Sequence, residues 1–184
     1  MAHSGDSIAG RDHLELEAPS LLYRDDFLAM AREYQIEGNE GERKFFAEAV
    51  ADLPSHVRDL EARASGLRLL EGQVPYHSCW LIRDGRTIVA TSTLRRWLTP
   101  ALLAEGGHIG YGTRPSERRK GYGRLVCSLT LQKAREIGLR RVLITCNTEN
   151  VASASIILAC GGRFDGESPS PRTGKPVSRY WIEL

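Results

Sequence analysis

No C-x-x-C pair and no cysteine–histidine cluster at zinc spacing occurs in the chain, although it holds four cysteines: Cys79, Cys127, Cys146 and Cys160. Four cysteines could make two disulfides in a secreted protein. The N-terminus MAHSGDSIAG, however, has no basic start followed by an apolar stretch, so no secretory leader is visible. No apolar run approaches the length that crosses a bilayer, and no membrane partner is expected. The expected setting is the cytoplasm, with reduced thiols acting as small buried hydrophobes. An excess of one charge is missing too. The chain has 25 basic and 23 acidic residues, a net +2, which argues against a generally cationic nucleic-acid binder. A content of 41% apolar and 26% charged residues is ordinary for a globular chain. A length of 184 residues fits one domain with a real core. The small, polar residues 1–10 are expected to be a flexible tail, and 11–184 a single domain.

The pattern along the chain predicts a mixed α/β fold. Ser20 is placed to cap a helix through LLYRDDFLAMAREYQ, with Tyr23, Phe27, Met30 and Tyr34 at helical spacing. A second helical region covers about 42–64, with an interruption expected near Pro54. SCWLIRD and TIVATSTLRRW flank Asp84-Gly85, a strong hairpin signal. A loop or helical turn at TPALLAEGG precedes a strand over 108–114, which Pro115 ends. GYGRLVCSLTLQKAREI then carries an apolar helical stripe stopped by Gly138. RVLITC reads as a buried strand, and Asn150 caps a helix ended by Gly161-Gly162. A short strand at Arg163–Phe164, a loop over DGESPSPRTGKP and a closing strand VSRYWIEL complete the order.

Positive charge is concentrated in one place. Residues 114–124, RPSERRKGYGR, hold five of the basic residues and a single acid. They join a strand to the start of a helix, where unpaired N–H groups attract anions. Gly121 and Gly123 carry no side chain that would keep a phosphate from those amides. Arg114, Arg118, Arg119, Lys120 and Arg124 add full charges. Together these features predict a pyrophosphate cradle. A solvated charged face or a contact with nucleic-acid phosphates is the competing reading, but no aromatic-rich nucleic-acid surface accompanies the run. A P-loop needs G-x-x-x-x-G-K-[ST], which is absent. In a Rossmann fingerprint a third glycine would stand where this chain has Val126. What fits is R-x-x-G-x-G, spelled Arg118 to Gly123.

With that motif the sequence resembles the GNAT superfamily of acyl-CoA-dependent N-acetyltransferases. The stretch GHIGYGTRPSERRKGYG looks like the family's cofactor motif, and ENVASASIILACGGRF like its N-x-x-A…G-F segment. The likeness is firm over about 78–164. It extends more loosely to both ends, which resemble a bacterial branch labelled "predicted acetyltransferase". It implies a mostly antiparallel twisted sheet flanked by helices and splayed between the cofactor strand and the next. It implies acetyl-CoA as acyl donor and a small-molecule or peptide amine as acceptor. Homodimers are common in such enzymes. It assigns backbone pairing with the pantetheine arm to Tyr111, Gly112 and Thr113. The pyrophosphate goes to Arg118, Arg119, Lys120, Gly121, Tyr122, Gly123 and Arg124. Asn150 stands beside the pantetheine, and Ser153 occupies the alanine position of the later motif. As a simpler reading, Tyr122 is a packing residue at a helix start.

For acyl transfer, deprotonating an alkyl amine of pKa ~10.4 near neutrality costs ~4–5 kcal/mol, so a general base has value. His108 and Glu149 are the candidates. A backbone N–H near Thr113 is expected to stabilise the oxyanion. Many relatives carry an acidic tyrosine seven residues after the asparagine. Here that position is Ile157, so Tyr180, Tyr111 or water takes the role, or nothing does. The reaction needs no metal, and no spacing suggests one. The missing tyrosine keeps open a non-catalytic acyl-CoA-binding sensor.

Overall fold

The computed structural model describes residues 13–184. The expected tail, residues 1–10, lies outside the described residues. The first element is a four-residue strand, β1 (Leu14–Glu17), too short for its alternation to stand out in the sequence. Ser20 then caps a 3-10 turn, Leu21–Tyr23, its Oγ accepting from the Leu22 N–H at 3.2 Å. The turn leads into α1 (Arg24–Glu37), which buries Phe27, Met30 and Tyr34 as the spacing predicts.

The second helical region is two helices, α2 (Glu40–Ala51) and α3 (Leu53–Ala64). Asn39 and Glu42 form a reciprocal capping box at the start of α2. The break falls at Asp52, whose carboxylate accepts from the Ser55 N–H at 3.0 Å. The interruption expected near Pro54 is thus present, and Pro54 sits in the first turn of α3. In a first helical turn its missing N–H has no partner to lose.

β2 (Tyr76–Arg83) and β3 (Thr87–Arg95) form the expected hairpin. Asp84 (φ 53°) and Gly85 (φ 65°) are both left-handed in the turn that the Arg86 N–H closes onto Arg83 O at 3.2 Å, with Arg83 paired to Thr87. A short helix, α4 (Pro100–Ala104), leads to β4 (Ile109–Thr113). The sheet runs β1-β2-β3-β4, antiparallel throughout. After a 3-10 turn at Pro115–Glu117 comes α5 (Tyr122–Glu136), then β5 (Arg141–Asn147) and α6 (Val151–Ala159).

β6 (Arg163–Pro169) and β7 (Pro176–Glu183) pair with each other, and β7 pairs with β5, giving a second antiparallel sheet in the order β5-β7-β6. Half of the expected loop at 165–176 is thus strand. Its turn-forming residues are tolerated because β6 is an edge: Gly166 (φ 138°) sits at a register shift and Pro169 at the strand end. Helices α1 and α2 cover one face of the first sheet around Phe27, Met30 and Trp80. Helix α5 covers the other through Tyr122 and Val126 against Leu81 and Val89.

The end of β4 is pinned by a buried cation. Arg114, next after β4, gives Nη1 to Asp26 (2.9 Å) and Nε to Glu33 (2.7 Å), both on α1. Glu33 also accepts from the Ser116 N–H at 3.0 Å, and Asp26 from the Ile88 N–H at 2.6 Å. Arg114 thus ties helix to sheet and is not a phosphate ligand. Replacing it with Met should leave two half-buried carboxylates without their cation and cost about 3 kcal/mol in urea unfolding at pH 7. Burial raises the pKa of Glu33, but its bonds from Ser116 and Arg114 outweigh that and hold it below the usual value. That share of stability is present above the ordinary carboxylate pKa and is lost as pH falls through the lower folded value. The variant should lose most of this acid dependence. An unchanged unfolding midpoint would refute the assignment.

Candidate active site

β4 has a partner on one side only. Its ladder with β3 sets Thr91 opposite Gly112 and Thr93 opposite Gly110. It is flanked by backbone bonds from Arg95 N–H to His108 O (2.8 Å) and from Arg114 N–H to Val89 O (3.0 Å). Alternation in an antiparallel ladder then turns the backbone groups of 110, 112 and 114 and the His108 carbonyl toward β3, and those of Ile109, Tyr111 and Thr113 toward the free edge. The next strand, β5, forms no ladder with β4. The two touch at one point, where the His108 N–H donates to Leu143 O at 2.7 Å. Beyond it the sheets part. Tyr111 and Thr113 therefore turn their backbone toward the open edge, where the Thr113 carbonyl accepts from the Tyr34 hydroxyl at 3.0 Å. Gly112 does not: its backbone pairs with Thr91, and its bare face is turned toward α1, 3.4 Å from Tyr34 Oη were a Cβ present.

The open edge runs toward the glycine turn. Arg119 (φ 61°) and Gly121 (φ 90°) are left-handed, and Gly121 is the N-cap residue of α5. Turns of this kind make anion-binding concavities of backbone amides, here at a helix N-terminus. Gly123 has a further task. A Cβ there would lie 2.9 Å from Ile156 and 3.0 Å from Thr113 Oγ1, so its absence lets α5, α6 and β4 meet. Tyr122 turns inward, buried, its hydroxyl accepting from Arg83 at 2.9 Å. The basic side chains divide. Lys120 bonds Glu117 at 3.0 Å, and Arg118 lies 3.6 Å from Glu37. Arg119 and Arg124 are exposed and enter no ion pair among the described residues.

Between the sheets lies a cavity of ≈ 240 Å³, lined by Tyr111, Cys146, Asn147, Asn150, Ser153 and Glu105, among others. Asn150 caps α6, its Oδ1 accepting from the Ser153 N–H at 3.0 Å. Tyr111 Oη stands 3.0 Å from Ser153 Oγ and 3.2 Å from its carbonyl oxygen. Burial raises the Tyr111 pKa strongly, so the phenol keeps its proton.

Of the groups expected to move protons, Tyr111 lines the cavity, whereas His108, Glu149 and Tyr180 do not. His108 is buried at the vertex, and its Nδ1 accepts the Leu143 N–H at 2.9 Å. Burial first, then the charges of Arg95 and Arg141, push its pKa down to about 4. Glu149 is exposed and does not line the cavity. Tyr180 is buried in the core beside Ile144 and Ile157, its ring edge-on to Phe164. Ile157 is fully buried.

One carboxylate in the cavity has no local signal in the sequence. Glu105, just after α4, has a side chain only 14% exposed. It accepts from Arg172 and from Ser170 Oγ (2.6 Å), both in the loop between β6 and β7. The bond from Arg172 holds Glu105 below the usual carboxylate range against the opposing effect of burial. A separation of 67 residues hides this pair from any local pattern.

A strand with a free backbone edge that leads to a glycine-capped helix N-terminus, between two diverging sheets, is the arrangement that the resemblance to acyltransferases implies. The comparisons agree. The family model described as an acetyltransferase (GNAT) domain matches residues 24–163. Among solved structures, RimL, a ribosomal L7/L12 α-N-protein acetyltransferase in complex with coenzyme A, is similar at TM-score 0.70 and 14% identity, covering 93% of this chain and 94% of its own. Mycobacterium smegmatis RimJ, in complex with CoA-disulfide, reaches 0.68 at 19% identity, with 93% and 82% covered. The self-immunity acetyltransferase MccE, in complex with acetyl-CoA and AMP, reaches 0.67 at 14%, with 95% and 94% covered. No curated protein matches the chain. The chain belongs to the GNAT acetyltransferases. Its family is one of acetyltransferases, and neighbours of the same fold hold acetyl-CoA or coenzyme A.

The vertex makes a pH prediction. A histidine with a depressed folded pKa stabilises the fold only while neutral. That contribution is present above the unfolded value of about 6.5 and falls away as pH drops from there toward 4. Between pH 7 and pH 5 wild type should lose roughly 1–2 kcal/mol more unfolding free energy than His108→Asn, whose Oδ1 can accept the same N–H. Parallel pH profiles for the two proteins would contradict the neutral clamp.

Proposed function

We propose that the chain transfers the acetyl group of acetyl-CoA to a primary amine. The observation that carries this reading is the free edge of β4 running from the His108 vertex to the N-terminus of α5. The residues present fit the donor. Backbone of Tyr111 and the N–H of Thr113 are available to the pantetheine amides; the Thr113 carbonyl already accepts from the Tyr34 hydroxyl at 3.0 Å. The amides of the 118–123 turn, with Arg118, Arg119 and Arg124, are available to the pyrophosphate, and Asn150 and Ser153 to the arm near the thioester. Bound there, the donor supplies an activated acyl group. Lys120 and Tyr122 contribute mainly by fixing the turn through Glu117 and Arg83. The four free thiols suit a reducing cytoplasm. No described helix is long and apolar enough to cross a membrane.

We assign the proton-handling roles by position in the cleft. Glu105 meets the acceptor's ammonium group, because it is the carboxylate that lines the cavity. Its low pKa keeps it ionised throughout the neutral range, so it holds a cation well and is a weak base. Activity should then rise with pH toward the pKa of the amine itself. Tyr111 Oη, protonated and in the cleft, is the donor that Ile157 cannot be. His108 shapes the vertex, Tyr180 the core, and Glu149 the surface turn before α6. RimL, the L7/L12 α-N-acetyltransferase, supports an amino acceptor for the fold, but its own acceptor is not carried over.

Thermal melting with acetyl-CoA at about 100 times its dissociation constant should show ~2.7 kcal/mol of stabilisation. Arg119→Glu with Arg124→Glu should weaken binding at least tenfold without moving the melting temperature of the free protein. With an accepted amine, Glu105→Gln should lower kcat/KM by about a hundredfold and leave the acetyl-CoA shift intact. No shift with acetyl-CoA would end the proposal. A full shift with no thiol release from any amine would favour the sensor.

A further inference from the structure

A second cavity of ≈ 240 Å³ opens on the other face of β4, against the N-terminal helices. Its walls include Tyr34, Phe45 and Phe46, and its floor is the strand at Gly110 and Gly112. The floor is low because both positions are glycine. A Cβ at 110 would stand 3.1 Å from Thr93 Oγ1, and one at 112 would stand 3.4 Å from Tyr34 Oη. Gly110 and Tyr111 line this cavity and the cleft alike, so a molecule seated here reaches the cleft across the free edge of β4.

The walls are mostly carbon. The Phe46 ring stacks on Tyr34 with centroids 4.2 Å apart, and Phe45 stands edge-on to Phe46 at 5.2 Å. The Tyr34 hydroxyl is already spent, donating to Thr113 O at 3.0 Å. Glu42 is the one charged residue among the described residues that line the cavity, and its Oε2 accepts the Asn39 N–H as part of the helix cap at 2.8 Å. Thr91, Ser92 and Thr93 add hydroxyls along the strand side, that of Ser92 already accepting from Thr130 Oγ1 at 2.8 Å, and the rings make up the rest of the wall. Phe45 is 48% exposed, a large ring left in water at the cavity mouth, where an apolar ligand would cover it.

We infer that this cavity takes an apolar arm of the acceptor, so that the substrate is a primary amine of the arylalkyl or alkyl class and not a polyamine, an amino sugar or a peptide. The inference rests on the acetyl-transfer reading above. The arm lies over Gly110 and Gly112 against the ring wall, and the amine points past Tyr111 into the cleft that holds Glu105.

The test is steady-state thiol release from acetyl-CoA with 2-phenylethylamine, hexylamine, spermidine, glucosamine and a short peptide with a free N-terminus. The two apolar amines should exceed the other three at least tenfold in kcat/KM. Phe45→Ala should lower kcat/KM for 2-phenylethylamine about tenfold, through KM, while the acetyl-CoA thermal shift stays unchanged. Glu42→Gln should leave the ranking as it is. If spermidine, glucosamine or the peptide is the best acceptor, or if Phe45→Ala has no effect on KM, the inference falls while acetyl transfer stands. Thiol release with none of the amines, at full acetyl-CoA binding, overturns both.

Discussion

A strand that pairs on one side only is the constraint from which the rest of this structure follows. An unpaired row of backbone groups in a protein interior is costly unless something satisfies it. Here β4 keeps its free edge because β5 is held off everywhere except at the vertex. The buried His108 makes that vertex doubly bonded, giving its N–H to Leu143 O and receiving the Leu143 N–H at Nδ1. A neutral ring is what this requires, since a protonated one has no lone pair for the second bond. The base candidate suggested by an ordinary histidine pKa is therefore better understood as the joint that sets the opening of the cleft.

Charge in the glycine turn does two different jobs, and burial separates them. Arg114 sits inside, compensated by Asp26 and Glu33, and Glu117 is buried between Arg83 and Lys120. These pairs anchor both ends of the turn to α1 and to the first sheet. Because the anchors are internal, the remaining cations can stay unpaired at the surface without loosening the loop. Arg119 and Arg124 face water, where an anion can reach them. A preformed cradle loses less ordering entropy on binding than one that must assemble around its ligand.

Local chemistry was readable in the sequence wherever a structural cause acts over a few residues. The Asp84-Gly85 turn, the Asn150 cap, the stripe on α5 and the glycine turn each depend on neighbours within one helical turn or one hairpin. β1 was not legible, because four residues give too little alternation. The extent of β6 was not legible either, since its Pro and Gly signal loops and only its edge position permits them. The cleft was half legible. Tyr111, Asn150 and Ser153 come together as the motif implies. Glu105 and Arg172 belong to segments that read as a short turn and a loop, and only the pairing of two sheets makes them neighbours. Glu149 and Tyr180 show the converse: suitable chemistry near the right motif, turned by the fold toward solvent or core.

The two glycines of β4 carry the argument from fold to specificity. Alternation places Gly110 and Gly112 on the face toward α1 and α2, while Tyr111 and Thr113 face α5 and α6. One strand thus offers backbone at its edge, a phenol on one face and bare chain on the other. A larger residue at 110 or 112 would raise the floor beneath the rings, pressing on Thr93 Oγ1 or on the Tyr34 hydroxyl. Selection among acceptors is then separable from the grip on the acyl donor, because the two depend on opposite faces of the same five residues.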